Sequence, residues 1–180
     1  EVMMIVSALS IQDPRERPQE KQQASDEKHL RFADKDSDFL AFVNLWHYIQ
    51  TQQKELSKNQ FRKQCQKDYL NYLRVREWQD IYHQLRLSVR EMGLPINTLE
   101  ANYQQIHTAL LAGLLSHIGL KDSEKMHYLG ARNAQFFIFP TSALFKKQPK
   151  WIIASELVET TKLWARTVAK IEPEWVEPLA

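Results

Sequence analysis

The chain has 180 residues, 43% of them hydrophobic, with five Trp, six Tyr and eight Phe, which suffices for one or two packed cores and excludes a disordered chain. Its 24 basic and 22 acidic residues leave a formal charge of +2, too little to mark a nucleic-acid binder by itself, and the single cysteine, Cys65, excludes an internal disulfide. No apolar run approaches the roughly 20 residues of a membrane span, so a cytoplasmic protein of a reducing compartment with no membrane partner is expected.

The charge is uneven. Residues 54–90 hold nine basic and four acidic side chains, a local +5, whereas residues 1–53 hold six basic and nine acidic, a local −3. The positive charge forms a patch.

The run VMMIVSAL follows Glu1 directly, without initiator methionine or signal peptide, and reads as a helix over 1–10 excerpted from a longer protein. Gln12, Asp13 and Pro14 end it. Residues 14–18 are a charged, proline-bounded connector, and 19–33 read as a solvated helix with apolar contacts from Leu30 and Phe32. Asp36 or Ser37 can cap the next helix, in which Phe39, Val43, Trp46 and either Tyr48 or Ile49 line one side. Ser57 and Gln60 spell an S-x-x-Q capping box, with Leu56 and Phe61 at the flanking apolar positions.

From there one helix is expected to run through Cys65, Tyr69 and Tyr72 into residues 68–92, the longest amphipathic stretch and the most basic. Trp78, Ile81, Tyr82, Leu85 and Val89 recur at helical spacing as an apolar stripe. Gln79, His83, Arg86 and Arg90, spaced by four, three and four, share another face with donors and positive charge but no carboxylate. Gly93 is the natural helix stop before Pro95. A last helix over 103–118 places Tyr103, Ile106, Leu110, Leu114 and Ile118 on one side.

After Lys121 the period becomes strand-like: MHYLGAR, AQFFIFP, WIIASELVET and LWARTVAKI are short apolar or alternating runs between turn-forming or charged residues. In the last of them Leu163, Ala165, Thr167, Ala169 and Ile171 share one face, and Trp164, Arg166, Val168 and Lys170 the other. Small inward residues suit a small barrel. The expected fold class is α+β, a helical bundle followed by a small antiparallel barrel, with the boundary near 119–124.

The words EVMMIVSALSIQDPRERP, SDFLAFVNLW, CQKDYLNYLRVREWQDIYHQL, IHTALLAGLLSHIG, FIFPTSALF and KWIIASELVETTKLWARTVAKIEPEWV, in this order and over nearly the whole chain, resemble the C-terminal accessory region of DEAH-box RNA helicases, most closely the bacterial HrpA type. The resemblance implies a helicase-associated ratchet-like domain over 1–120 and an OB-fold over 121–180. It places the motor domains, with their ATP and Mg²⁺, upstream of Glu1, and gives single-stranded RNA, those motor domains and a regulatory protein as partners. The sequence departs from the family pattern at Phe139, where many relatives have histidine, and at Gln64, where many have tryptophan; both read as packing positions.

Asp26-Glu27-Lys28-His29 is one substitution from the DEAH signature, but polar QQAS precedes it where that motif needs an apolar strand, so it reads as a polar helix face. With glycines only at 93, 113, 119 and 130, no G-x-x-x-x-G-K-[ST] phosphate cradle can be written, and no catalytic residue is assigned. The six histidines and Cys65 show no metal-ligand spacing; Cys65, in register with Phe61 and Tyr69, reads as packing. Gln79, His83, Arg86 and Arg90 are either a solvated face or contacts to single-stranded RNA, which requires donors and positive charge along a groove. Trp164 beside Arg166 and Lys170 is either a base-stacking platform or barrel packing. Lys146, Lys147 and Lys150 form a loop cluster, solvated or phosphate-bound. The expected function is a non-catalytic RNA-channel module of an ATP-dependent RNA helicase. Its rival is a docking module for motor domains or a regulatory partner.

Overall fold

Side-chain caps fix where four of the α-helices begin in this computed structural model, which describes residues 1–179; Ala180, the last residue of the expected OB-fold span, lies outside them. Ser37 accepts the Leu40 N–H at 3.3 Å and starts α3 (Asp38–Glu55), so of the two candidate caps it is Ser37 that serves. Ser57 and Gln60 complete their capping box reciprocally, at 3.0 and 3.3 Å, to open α4 (Lys58–Lys67). Asn71 caps α5 (Tyr72–Glu91), and an unforeseen box between Asn102 and Gln105 opens α6 (Tyr103–Ala112). Two shorter helices, α1 (Val2–Leu9) and α2 (Gln22–Leu30), precede these.

The expected continuous helix through Cys65, Tyr69 and Tyr72 is interrupted between α4 and α5. Tyr69 takes φ +54°, a left-handed conformation that stops the helical ladder. The amides and carbonyls released there find partners in the proline-bounded connector: Asn71 N–H donates to Pro14 O and Glu16 N–H to Tyr69 O, both at 2.7 Å. Asp68 is 1% exposed, and its carboxylate accepts from Tyr48 Oη at 2.5 Å and Gln64 Nε2 at 3.1 Å while facing Arg31 at 2.7 Å. Periodicity carries no signal for such a corner, because the apolar spacing on either side stays in phase.

Gly93, at φ +72°, ends α5 in a Schellman arrangement, with Leu94 N–H reaching Val89 O at 3.1 Å. The helix expected over 103–118 is shorter: α6 stops at Ala112, a 3₁₀ turn spans Leu115–His117, and Ile118 enters a strand that the sequence reading had placed in the helix.

The chain forms two compact units, residues 1–33 with 41–100, and residues 34–40 with the chain from Ala101 onward. In the first, Phe42, Leu45, Trp46, Ile49, Phe61, Cys65, Val75 and Trp78 make the core. Trp46 meets Trp78 edge-on at 5.1 Å and Tyr82 at 4.4 Å, and Trp78 Nε1 donates to Met4 O at 2.9 Å, tying α1 to α5.

The second unit holds a closed barrel of five strands in the order β1-β2-β3-β5-β4: β1 (Ile118–Lys121), β2 (Tyr128–Leu129), β3 (Gln135–Ile138), β4 (Trp151–Glu159) and β5 (Leu163–Lys170). All pairs are antiparallel except β3 with β5, which are parallel, so the expected all-antiparallel barrel is corrected at that seam. Tyr128, Phe136, Ile138, Ile152, Ala154, Ala165 and Val168 fill the interior. The expected two-face split of β5 fails at Thr167, whose φ of +55° turns the strand so that Val168 joins Ala165 inside. Gly119 is there because a Cβ would come within 2.4 Å of the Phe136 ring.

Candidate nucleic-acid interface

Helix α5 buries Trp78 and Tyr82 and leaves Ile81, Leu85 and Val89 half-buried, so its apolar stripe faces the core as the spacing requires. On the polar side the four singled-out residues differ in freedom. Gln79 is half-buried and exchanges two hydrogen bonds with Gln53 of α3, at 2.7 and 3.2 Å. Arg86 is half-buried and donates to Tyr82 Oη at 3.2 Å, whereas His83 and Arg90 are exposed, His83 with its ring edge-on to Tyr82 at 5.5 Å.

The barrel presents a second surface. Along β3 the side chains alternate, Phe136 and Ile138 inward and Phe137 outward, with Phe139 following on the outer side. The parallel register pairs Phe137 with Trp164 of β5. The Trp164 ring therefore lies between Phe137, at 6.0 Å, and Phe139, at 5.8 Å, and its Nε1 donates to Thr160 Oγ1 at 3.1 Å. Cations cover the two phenylalanines, Arg166 over Phe139 at 4.5 Å and Lys162 over Phe137 at 4.4 Å. Three half-buried rings and two exposed cations form one tiled patch. Such a surface offers π-faces to bases and positive charge to phosphates.

The remaining candidates are dispersed within the same unit. Lys147 donates to Lys35 O at 3.2 Å and faces Asp36 at 3.8 Å, and Lys170 lies 3.9 Å from Glu172. Lys146 and Lys150 are exposed. The structure thus joins Trp164 with Arg166 but leaves Lys170 outside the tiled patch. Burial pushes the Cys65 thiol up to about 12, so it stays protonated and packs as an apolar side chain.

Residues 106–180 match the family model for the oligonucleotide/oligosaccharide-binding (OB)-fold. The whole chain is 80% identical to an ATP-dependent RNA helicase HrpA homolog of Haemophilus influenzae and 68% identical to the ATP-dependent RNA helicase HrpA of Escherichia coli, covering 14% of each. The chain matches the C-terminal region of HrpA-type helicases. A pre-mRNA-splicing factor ATP-dependent RNA helicase, prp22 of Schizosaccharomyces pombe, is 28% identical over the full chain, which covers 15% of it. The chain thus spans about one-seventh of the length of these relatives.

Among the barrel residues, sequence reasoning missed Phe137, Phe139 and Lys162 as members of the tiled patch. The alternation of AQFFIFP was the available signal, since a strand that buries Phe136 and Ile138 turns Phe137 and Phe139 outward. Which outer ring meets which depends on the parallel seam, and no local pattern reports that.

Proposed function

We propose that this chain is a non-catalytic RNA-contacting module of an ATP-dependent RNA helicase, forming one wall of a channel for single-stranded RNA and coupling the strand to motor domains elsewhere in the protein. The observation that carries the reading is the Phe137, Trp164 and Phe139 patch with Arg166 and Lys162 laid over it. The OB-fold match and the names of the HrpA relatives support it. In this reading Arg166 and Lys162 take phosphates at the patch, and Lys146, Lys147, Lys150 and Lys170 extend the positive charge. Gln79, His83, Arg86 and Arg90 offer a second contact line on α5. The ratchet-like assignment of 1–120, the OB assignment of 121–180 and a cytoplasmic location belong to the same proposal.

ATP and Mg²⁺ belong to the proposed motor part. Gly119 lies within β1, Gly93 and Gly113 follow helices, and Gly130 follows β2 before a 3₁₀ turn, so none lies where a strand turns into an α-helix to cradle phosphate. These residues do not fit a nucleoside triphosphate site.

One observation favours docking as a second role: Leu87, Met92, Leu94 and Leu99 are 59%, 70%, 51% and 82% exposed around the end of α5. In that role the motor domains or a regulatory protein cover them. Replacing Trp164 by Ala in the full-length helicase separates the two. RNA contact through the patch requires a loss of about 1–3 kcal/mol in affinity for a single strand. Unchanged affinity and RNA-stimulated ATPase would remove the barrel patch as an RNA contact and favour the docking role.

A further inference from the structure

Two surface grooves stand out within the helical unit, and their chemistry differs. The first is lined by Arg17, Asp26 and Glu27, and its arginine is already held by Asp26 at 2.8 and 3.0 Å, so it presents nothing to an anion. The second, of about 330 Å³, lies at the end of α3, the start of α4 and along α5, and none of its lining residues is acidic. That volume is at the lower end of the ~300–1,000 Å³ usual for small-molecule sites.

Its floor is apolar and aromatic. Phe61 is 3% exposed and meets the half-buried Tyr72 ring edge-on at 6.0 Å, with Leu56 alongside. Tyr72 is fixed in turn by two arginines, Arg62 over its ring at 5.1 Å and Arg76 donating to its hydroxyl at 3.3 Å. One side is closed by the reciprocal Gln53 and Gln79 amide pair. A primary amide carries two N–H donors and two acceptor lone pairs, and this pairing uses one of each per residue. Both amides therefore keep one N–H and one lone pair, a donor–acceptor edge set beside an aromatic wall. Lys58 and Arg76 supply the positive charge.

We propose that this groove binds one nucleotide of a single strand, with the base against Tyr72, its polar edge on the Gln53 and Gln79 amides, and the phosphate on Lys58 and Arg76. The proposal rests on the RNA-contacting reading for its ligand, and it moves Gln79 from a phosphate-contacting stripe to base contact. The amide pair opens to a base edge at little cost, because each lost amide hydrogen bond is replaced by one to the base.

The test uses the 180-residue chain, isotope-labelled at glutamine side-chain amides, titrated separately with adenosine monophosphate, uridine monophosphate and inorganic phosphate. Shifts of the Gln53 and Gln79 amide resonances with the nucleotides but not with phosphate support the pocket. The same shifts with phosphate alone, or none with any of the three, overturn it. In parallel, Gln79→Leu and the solvent-facing Gln53→Leu are compared with the parent on a twelve-nucleotide RNA and on an abasic strand of the same length. Each should bind the RNA about tenfold more weakly and the abasic strand equally well. Unchanged RNA affinity in both variants, while Trp164→Ala loses binding, sinks the pocket and leaves the proposed function standing. Nucleotide-dependent amide shifts in a chain whose RNA affinity is insensitive to Trp164→Ala would support the pocket against the barrel patch.

Discussion

Ser37 donates its hydroxyl hydrogen to Nε2 of His107 at 2.6 Å, and both residues are fully buried. The roles follow from the other ring nitrogen: Nδ1 faces Tyr103 O at 2.7 Å and must carry the proton, leaving Nε2 as acceptor. Because Ser37 also caps α3, one neutral imidazole joins α6 to the first turn of α3.

That neutrality gives a pH dependence. Burial, partly opposed by the Tyr103 carbonyl, holds the His107 imidazole below its usual value, and burial does the same at His29. The unfolded chain therefore takes up protons first as the pH drops. Stability is fully present above the unfolded value of about 6.5 and is lost as the pH falls from there through the lower folded values. Urea midpoints measured at pH 7.5, 6.5 and 5.5 should fall in that order, and His107→Gln should flatten the trend, leaving the His29 share. An unaltered trend in the variant would show that His107 does not carry it.

Asp38 anchors the barrel to the same turn. Its carboxylate accepts from Ser142 Oγ at 2.5 Å, Val168 N–H at 2.9 Å and Ala143 N–H at 3.0 Å. Asp38→Ala strands these donors and should cost about 2–4 kcal/mol, read as a lower unfolding midpoint with an unchanged denaturant slope. A cost below about 1 kcal/mol would mean that water replaces the carboxylate.

Two glycines should respond oppositely to alanine. At Gly119 the new Cβ meets the fully buried Phe136 ring at 2.4 Å and Tyr128 Cβ at 3.2 Å, an overpacking that should cost about 1–3 kcal/mol. At Gly113, where φ is −95° and only Leu110 O comes near, at 3.7 Å, Ala should be neutral or stabilise by up to about 1 kcal/mol. Thermal melts of the two variants check the pair.

Arg86 and Arg90 test the α5 contact line. If both reach phosphates of a single strand, Arg86→Ala with Arg90→Ala should lower the slope of log affinity against log salt by about 1.4, with similar weakening for all sequences. An unchanged slope in the full-length protein would mark that line as solvated and leave the barrel patch as the proposed contact surface.

What the sequence made legible were features written locally. The Ser57 and Gln60 box, the Gly93 stop and the burial of Trp78 and Tyr82 follow from neighbours within a turn or two. The break at Asp68 was hidden because it depends on Tyr48, Arg31 and Pro14, distant in sequence. Strand β1 was hidden because Leu114 and Ile118 keep helical spacing while Ile118 in fact pairs with Ile153. Periodicity puts the change from helix to strand near 119–124, β1 begins at Ile118, and compactness groups 34–40 with the chain from Ala101 onward, because a pattern reports the type of an element and not what it packs against. Trp164 and Arg166 were visible as an alternating pair, but their ring neighbours required the parallel β3 and β5 seam.

The assignment of residues 34–40 to the barrel-containing unit has a consequence for biogenesis. The chain passes between its two units three times, after Ala33, Leu40 and Glu100, so a cut after Ala33 splits the helical unit, a cut after Leu40 splits both, and only a cut after Glu100 leaves the helical unit whole, still carrying residues 34–40. During synthesis Asp38 emerges well before Ser142 and Val168, the residues that will occupy its carboxylate. At about 5–20 residues per second the wait is on the order of ten seconds. The helical unit, complete by Glu100, can condense in that interval, before Ser142, Ala143 and Val168 reach the Asp38 carboxylate. Removing the first 40 residues therefore takes part of both units, whereas removing the chain after Glu100 strips the barrel from its 34–40 anchor and leaves the helical unit whole.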